Sequence, residues 1–338
     1  GIKVAGGYEA FDVPPASSPQ FPNLVYEPEE ARAWPSALLP ADYTPERAVE
    51  RALRQGAICI KAFVEPGFGM FHWPYPRAAT LLRIRAAANT HGLPLMVHAN
   101  GVESWKIALD GHADVIAHGL WIWSGDPAES ALPAAARDVI ATTARGGIHV
   151  QPTLQTVAGE RAIVDPSLLN DERLRFALPR SVISYLRSVD GEQSRKALLA
   201  QYEKASPRPG FEPLLAVAVE RTRASLREML RDRVALLFGS DTPGVEGFGN
   251  PPGLNGRLEL QDWADAGVPL KDILRATTIE NAKVLGLARD VGSIEVGKRA
   301  DLLLLDRDPL ASISAYDTIE TVFLDGFPIP RETLRPPE

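Results

Sequence analysis

The sequence predicts an α/β protein in which parallel strands alternate with helices, followed by a small β-rich module. Short apolar, β-branched runs recur between helical patterns, as in successive βαβ units. The runs are near-continuously apolar rather than alternating, which suits parallel strands covered on both faces. After Gly286 the texture changes to β-rich segments separated by turn residues.

The elements follow in order. Ile2 to Ala5 is the first strand and stops at Gly6-Gly7. Asp12 to Pro45 is Pro-rich yet carries Phe21, Tyr26, Trp34 and Tyr43, so it reads as an ordered functional loop that helps shape a pocket for an apolar or cyclic group. A helix starts after Thr44, with Pro45 at its first position. Further strands are expected at Ala57 to Phe63 (AICIKAF), Leu93 to His98 (LPLMVH), Ala113 to His118 (ADVIAH), Ile148 to Pro152 and Arg233 to Ser240 (RVALLFGS), six in all. Helices are expected at Arg77 to Thr90, Glu103 to Asp110, Ala128 to Arg145, Leu258 to Ala266 and Leu270 to Gly286. A long helical section from Asp171 to Leu230 is broken near Pro207 to Pro213. Gly292 to Pro309 and Ile319 to Pro328 form the β-module. The sequence has no solenoid repeat and no low-complexity tract.

At 338 residues the chain fits one large α/β barrel or two modest domains. A formal charge of −7 argues against a nucleic-acid partner. No apolar stretch approaches the ~18 residues that span a membrane. The only cysteine, Cys59, rules out an internal disulfide and reads as a buried, inert thiol. The first residues, GIKVAGGYEAF, carry no signal-peptide pattern. The compartment is therefore left open between cytoplasm and, if a leader was removed upstream, periplasm or secretion. A small-molecule substrate and a homo-oligomer are both compatible with this composition.

The informative side chains lie at strand ends. Lys61, His98, His118 and Asp241 each fall at or just past the C-terminal end of a separate strand, where (β/α) barrels build active sites. Alternation puts Lys61 with Cys59, His98 with Met96, His118 with Ile116 and Asp241 with Gly239, so all four are expected to face one lumen. Singly, a histidine there is a hydrogen-bonded structural residue, an aspartate a cap, and a lysine reaches water. Together they suit zinc or a similar divalent metal. Burial lowers the pKa of a lysine, and a neutral amine can take up carbon dioxide as a carbamate that bridges two metals. His72, Asn100, Trp121, Gln151 and Thr153 lie at the same end and are weaker candidates for substrate contact; packing is their plainer role.

The runs HANGVESWKIALDGHADVIAHG, LLFGSDTPG and LRATTIENAKVLGLARDVGSIEVGKRADLLLLDRDPL resemble the metal-dependent amidohydrolase superfamily, nearest its imidazolonepropionase-like and prolidase-like branch. The resemblance covers roughly Ala57 to Pro328. It implies a (β/α)8 TIM barrel, with about six of eight strands in this chain. It also implies domains at 1–286 (barrel) and 287–338 (C-terminal part of a small β-sandwich). It places a carboxylated lysine at Lys61, metal-ligand histidines at His98 and His118, and the catalytic, metal-binding aspartate at Asp241. One or two divalent metals, zinc first, are the implied cofactors.

The family's HxH pair is absent. The six histidines are 72, 91, 98, 112, 118 and 149, and no two are separated by one residue. The expectation is therefore a fragment, or a chain completed by a separate N-terminal segment or partner chain, with weak or single metal occupancy and little activity alone. The expected activity is hydrolysis of an amide-type C–N bond, as in a dipeptide or cyclic amide. The alternatives are a non-catalytic barrel subunit, a lactonase or organophosphate hydrolase, and a deaminase, from which Lys61 leans away.

Overall fold

The computed structural model describes residues 1–4, 23–68, 71–124, 129–205, 211–242 and 248–336. They form two compact units. The first comprises residues 1–125, 131–152 and 228–236, and the second comprises 126–130, 153–227 and 237–338.

The first unit is a βα series. Its elements are β1 (Ile2–Val4), β2 (Asn23–Val25), α1 (Pro45–Arg54), β3 (Ile60–Phe63), α2 (Ala78–Asn89), β4 (Leu95–His98), α3 (Val102–Asp110), β5 (Val115–Ala117), α4 (Ala134–Arg145) and β6 (His149–Gln151). The strands form one sheet in the order β2-β1-β3-β4-β5-β6, and every pairing is parallel. Six strands were expected, but their membership differs. Asn23–Val25, read from sequence as loop, is the edge strand beside β1. The segment expected as a strand at Arg233 to Ser240 forms only an isolated bridge, Val150 to Leu236, with Val150 N–H donating to the Ala235 carbonyl.

Register divides the sheet into two faces. Ala62, Val97, Ile116 and Val150 are neighbours across β3 to β6, and all are fully buried. Burying each of the three branched side chains is worth about 2 kcal/mol, and the Ala62 methyl less. On the other face, Lys61, Met96, Val115 and His149 form one row, and Phe63, His98, Ala117 and Gln151 the next. Lys61, Phe63, Met96, His149 and Gln151 are half-buried. Helix α1 starts as expected. Thr44 Oγ1 accepts from Arg47 N–H at 3.4 Å, Pro45 takes the first position, and Pro45, Ala48, Val49 and Ala52 bury one stripe. Of the aromatics in the Pro-rich stretch, Phe21 lies outside the described residues. Tyr26, Trp34 and Tyr43 pack edge-on against one another at 5.3 and 5.2 Å, so they form a local core rather than a free wall.

The second unit contains α5 (Leu154–Glu160), α6 (Arg180–Leu186), α7 (Val189–Ala205), most of α8 (Phe211–Arg231), α9 (Asn255–Ala266), α10 (Leu270–Arg275) and α11 (Asn281–Val284). It ends in an antiparallel sheet of β7 (Leu302–Leu305), β8 (Ile319–Leu324) and β9 (Phe327–Pro330). The expected helix at Leu270 to Gly286 is continuous but loosens into a π turn at Ala276–Glu280. The section from Asp171 opens as a 3-10 turn, Glu172–Phe176, before the helices begin. Helices α5 and the 249–250 segment cross closely: a Cβ on Gly159 would lie 2.3 Å from the Gly249 carbonyl oxygen.

Candidate active site

His98 ends β4, and His118 follows β5 directly. Alternation alone does not bring them together. Ala117, not His118, is the register partner of His98, so an extended His118 would point to the helix-covered face. The expectation that His118 faces the lumen by alternation with Ile116 is therefore corrected: Ile116 pairs with Val97 on the buried face. His118 instead adopts φ 81°, a left-handed conformation that turns its ring back. The rings of His98 and His118 stand 4.4 Å apart, edge to face. The backbone beyond the turn is held by β6, with His118 N–H on the Gln151 carbonyl at 2.8 Å and Gly119 N–H on the Pro152 carbonyl at 2.7 Å.

The His98 ring stacks on Phe63 at 3.8 Å, and Phe68 meets it edge-on at 6.2 Å. Burial, reinforced by the Lys61 ammonium, holds the imidazole well below its ordinary pKa, so His98 is neutral. Lys61 lies within β3, one row below Phe63 and His98, rather than at the strand's last position. Cys59 is half-buried and burial raises its thiol pKa, which disfavours the thiolate.

Glu65 was not legible as a site residue. It lies just past β3 and is 2% exposed. Its Oε1 accepts from the backbone N–H of Gly67 and Phe68, and its Oε2 from Asn100 Nδ2 at 3.1 Å. Oε2 is 3.4 Å from His98 Nε2. Burial raises this carboxyl against those hydrogen bonds, which act the other way. The sequence signal was a Glu-Pro-Gly turn, in which a carboxylate can cap the following N–H groups.

Of the weaker candidates, Asn100 is buried and engages Glu65, His98 and Trp121, whose indole N–H donates to Asn100 Oδ1 at 3.1 Å. His72 is exposed on the loop after Phe71, and Gln151 ends β6. Thr153 and Asp241 belong to the second unit. Each is a non-glycine residue with left-handed backbone, φ 45° and 47°. There Asn255 Nδ2 donates to the Ser240 carbonyl and to Thr242 Oγ1. Phe238 N–H reaches the Ala276 carbonyl, and Asn281 Nδ2 the Phe238 carbonyl. These helix-borne partners replace a strand ladder along residues 237–240. Glu160 is half-buried, and burial of its carboxyl together with the Asp241 charge pushes it up to about 8.

Imidazole pairs are good metal donors, and the His98–His118 juxtaposition fits a two-nitrogen half of such a set. Among the described residues, no group of three or more His, Cys, Asp or Glu side chains is gathered for a metal ion. A carboxylated lysine would stand outside that set of residue types.

Residues 4–328 match the amidohydrolase family. The chain belongs to that family. It is 33% identical over 121 residues to a 5-methylthioadenosine/S-adenosylhomocysteine deaminase of Symbiobacterium thermophilum, a match covering 34% of this chain and 28% of that protein. It is 35% identical over 86 residues to an imidazolonepropionase of Bdellovibrio bacteriovorus, covering 25% of this chain and 19% of that protein. Among solved structures, a Xaa-Pro dipeptidase with bound methionine aligns with TM-score 0.57 at 21% identity, over 91% of this chain and 59% of that one. A prolidase complexed with N-methylphosphonate-L-proline aligns with TM-score 0.57 at 19% identity, over 85% and 58%. The matches thus span well under two thirds of these relatives' lengths. They establish the α/β barrel fold of the amidohydrolases for this chain, with its separate small antiparallel sheet. Among the described residues no helix is long and apolar enough to cross a membrane.

Proposed function

We propose that this chain serves the hydrolysis of an amide-type C–N bond, in a dipeptide or cyclic amide, with the help of a divalent metal, zinc first. The observation that carries the reading is the pair of imidazoles 4.4 Å apart at adjacent strand ends, brought together by a left-handed turn at His118. Strained backbone of this kind costs on the order of 1–3 kcal/mol and persists where surrounding structure over-determines it, often at functional sites.

In this reading His98, His118 and an N6-carboxylated Lys61 hold the ion. When bound, the metal lowers the pKa of a water toward neutrality and polarises the carbonyl. Neutral His98 presents a lone pair because its desolvated site disfavours the imidazolium. Phe63 fixes the plane of that ring by stacking. Asp241 is assigned the proton transfer from water to the leaving nitrogen. Phe68 and Trp121, whose rings lie parallel at 6.1 Å, offer an apolar face to the substrate. His72, Gln151 and Thr153 remain candidates for substrate contact.

The test is zinc per chain, measured with and without bicarbonate. At most one weakly held equivalent is expected, lost in H98A and H118A and weakened in K61A. Zinc uptake unaffected by all three substitutions would refute the reading. A second reading, deamination, is favoured by the stretch shared with the Symbiobacterium deaminase. Ammonia release from an aminated purine nucleoside, without cleavage of prolyl dipeptides, would select it.

A further inference from the structure

Asp241 stands at φ 47°, in the left-handed region. An aspartate can adopt that conformation, but right-handed and extended backbone are open to it at lower cost. Something must therefore select the angle. The structure places one buried amide across both sides of the residue. Asn255, at the start of α9, is 1% exposed. Its Nδ2 donates to the Ser240 carbonyl at 2.5 Å and to Thr242 Oγ1 at 2.7 Å. A carbonyl only accepts, so the NH2 end of the amide must face Ser240, whatever the charge state of any neighbour. An NH2 group has two hydrogens, and here one goes to each side of Asp241. Thr242 Oγ1 passes its own hydrogen on to Ser240 Oγ at 3.0 Å.

Further observations set this apart from ordinary backbone satisfaction. Asn255 Oδ1 is buried and meets no donor among the described residues, so the side chain's hydrogen bonding there is spent on the turn. The start of α9 fits tightly at this point: a Cβ on Gly256 would lie 3.2 Å from the Phe238 ring and 3.8 Å from Ser240 Cβ. One turn further along α9, fully buried Glu259 accepts from Gln155 N–H at 2.6 Å, two residues after left-handed Thr153. One face of a single helix thus braces both left-handed turns.

We propose that Asn255 is a positioning residue for Asp241: its NH2 group holds the left-handed turn that sets the direction in which the Asp241 carboxyl leaves the backbone. The Ser240 carbonyl belongs to the peptide plane about which φ of Asp241 turns, and Thr242 ties down the chain on the far side. The consequence for catalysis rests on the proton-transfer role proposed above for Asp241; the turn itself does not. A proton carrier must lie within hydrogen-bond reach of its water, and a displacement of about 1 Å costs on the order of 100-fold in rate.

Asn255→Leu keeps the shape of the side chain and removes both donors. The experiment is 15N-edited proton NMR of the metal-free chain labelled with 15N-aspartate, in which D241N assigns the Asp241 signal by its loss. A left-handed residue holds its N–H and Cα–H on the same side, so the NOE between them is strong; it is several-fold weaker in right-handed or extended backbone. Wild type is expected to show the strong NOE at Asp241, and N255L and N255A to lose it. L260A opens a cavity in the same helix without touching the turn, so it should lower the thermal midpoint and keep the NOE. T242V removes one of the two contacts and should weaken the NOE; it serves if neither Asn255 variant folds. A weak NOE in wild type, or a strong one kept in every folded variant of Asn255 and Thr242, would overturn the proposal. Hydrolysis of a prolyl dipeptide by D241A keeps the two ideas apart. Activity equal to that of wild type defeats the proton-transfer role and leaves the turn result standing. Activity lost in D241A, with the NOE unchanged in N255L, defeats the Asn255 proposal alone.

Discussion

Strand alternation would leave the imidazoles of His98 and His118 on opposite faces, and a left-handed backbone at His118 reunites them. The same left-handed conformation recurs at Thr153 and Asp241, two more positions singled out from sequence. For a β-branched threonine it is costly, because its Cβ crowds the neighbouring carbonyls. Thr153→Gly should therefore be more stable than Thr153→Ala by about 1 kcal/mol, since both variants lose the side chain and only glycine relieves φ 45°. Urea unfolding of the pair decides it; equal midpoints would mean that the residue carries no such strain. At this scale the sequence was legible in residue type and partly in place. His98 and His118 could be found because each follows a recognisable apolar run. The turn that makes them neighbours could not, because φ at a histidine has no marker in the sequence. Glu65 was hidden for a related reason. A glutamate after a strand normally faces water, and only the fold shows that Asn100 and two backbone N–H groups enclose it.

Helices α5 and α9 of the second unit show the same logic in larger pieces. Glu259 of α9 accepts from Gln155 N–H at the start of α5 and from the Trp263 indole, both at 2.6 Å. Gly159 of α5 lies against the 249–250 backbone, where Asn250 Nδ2 donates to the Thr156 carbonyl. Helix propensity alone favours alanine over glycine at position 159 by up to ~1 kcal/mol. The close approach reverses the sign: a Cβ there would meet backbone oxygen, which does not move aside. Gly159→Ala is expected to destabilise by about 3 kcal/mol, read as a lowered urea midpoint; a stabilised variant would show that the crossing is loose. Elements with a strong period were visible in the sequence: the start of α1, and α2 and α9 to within a few residues. β2 was not, because three residues in a Pro-rich stretch become a strand only through pairing with β1. Residues 233–240 misled in the opposite way. Their apolar run suits a parallel strand, yet the helix-borne Asn255 and Asn281 satisfy part of their backbone instead.

For the molecule as a whole, buried carboxyls shape the response to pH. Glu259 is fully buried, and burial pushes its carboxyl from 4.5 up to about 7, against the hydrogen bonds it accepts. The folded chain then keeps a proton on Glu259 between about pH 4.5 and 7 that the unfolded chain has released. Folded molecules bind more protons in that window, so this group's contribution to stability is fully present below it and is lost as pH rises through it, on the order of 3 kcal/mol in total. His98 acts oppositely. Its depressed pKa makes the folded state resist protonation, so its contribution is lost as pH falls below about 6.5. Comparing the wild type with E259Q isolates the carboxyl, because the His98 contribution is common to both. Glutamine offers one oxygen to the two donors on Gln155 and Trp263, so the variant is less stable at pH 5. That deficit should shrink steadily toward pH 8, where the wild type must carry a buried carboxylate and the variant carries none. A deficit that widens with pH in chemical unfolding experiments would mean that Glu259 is held as the anion, and that its hydrogen bonds outweigh its burial.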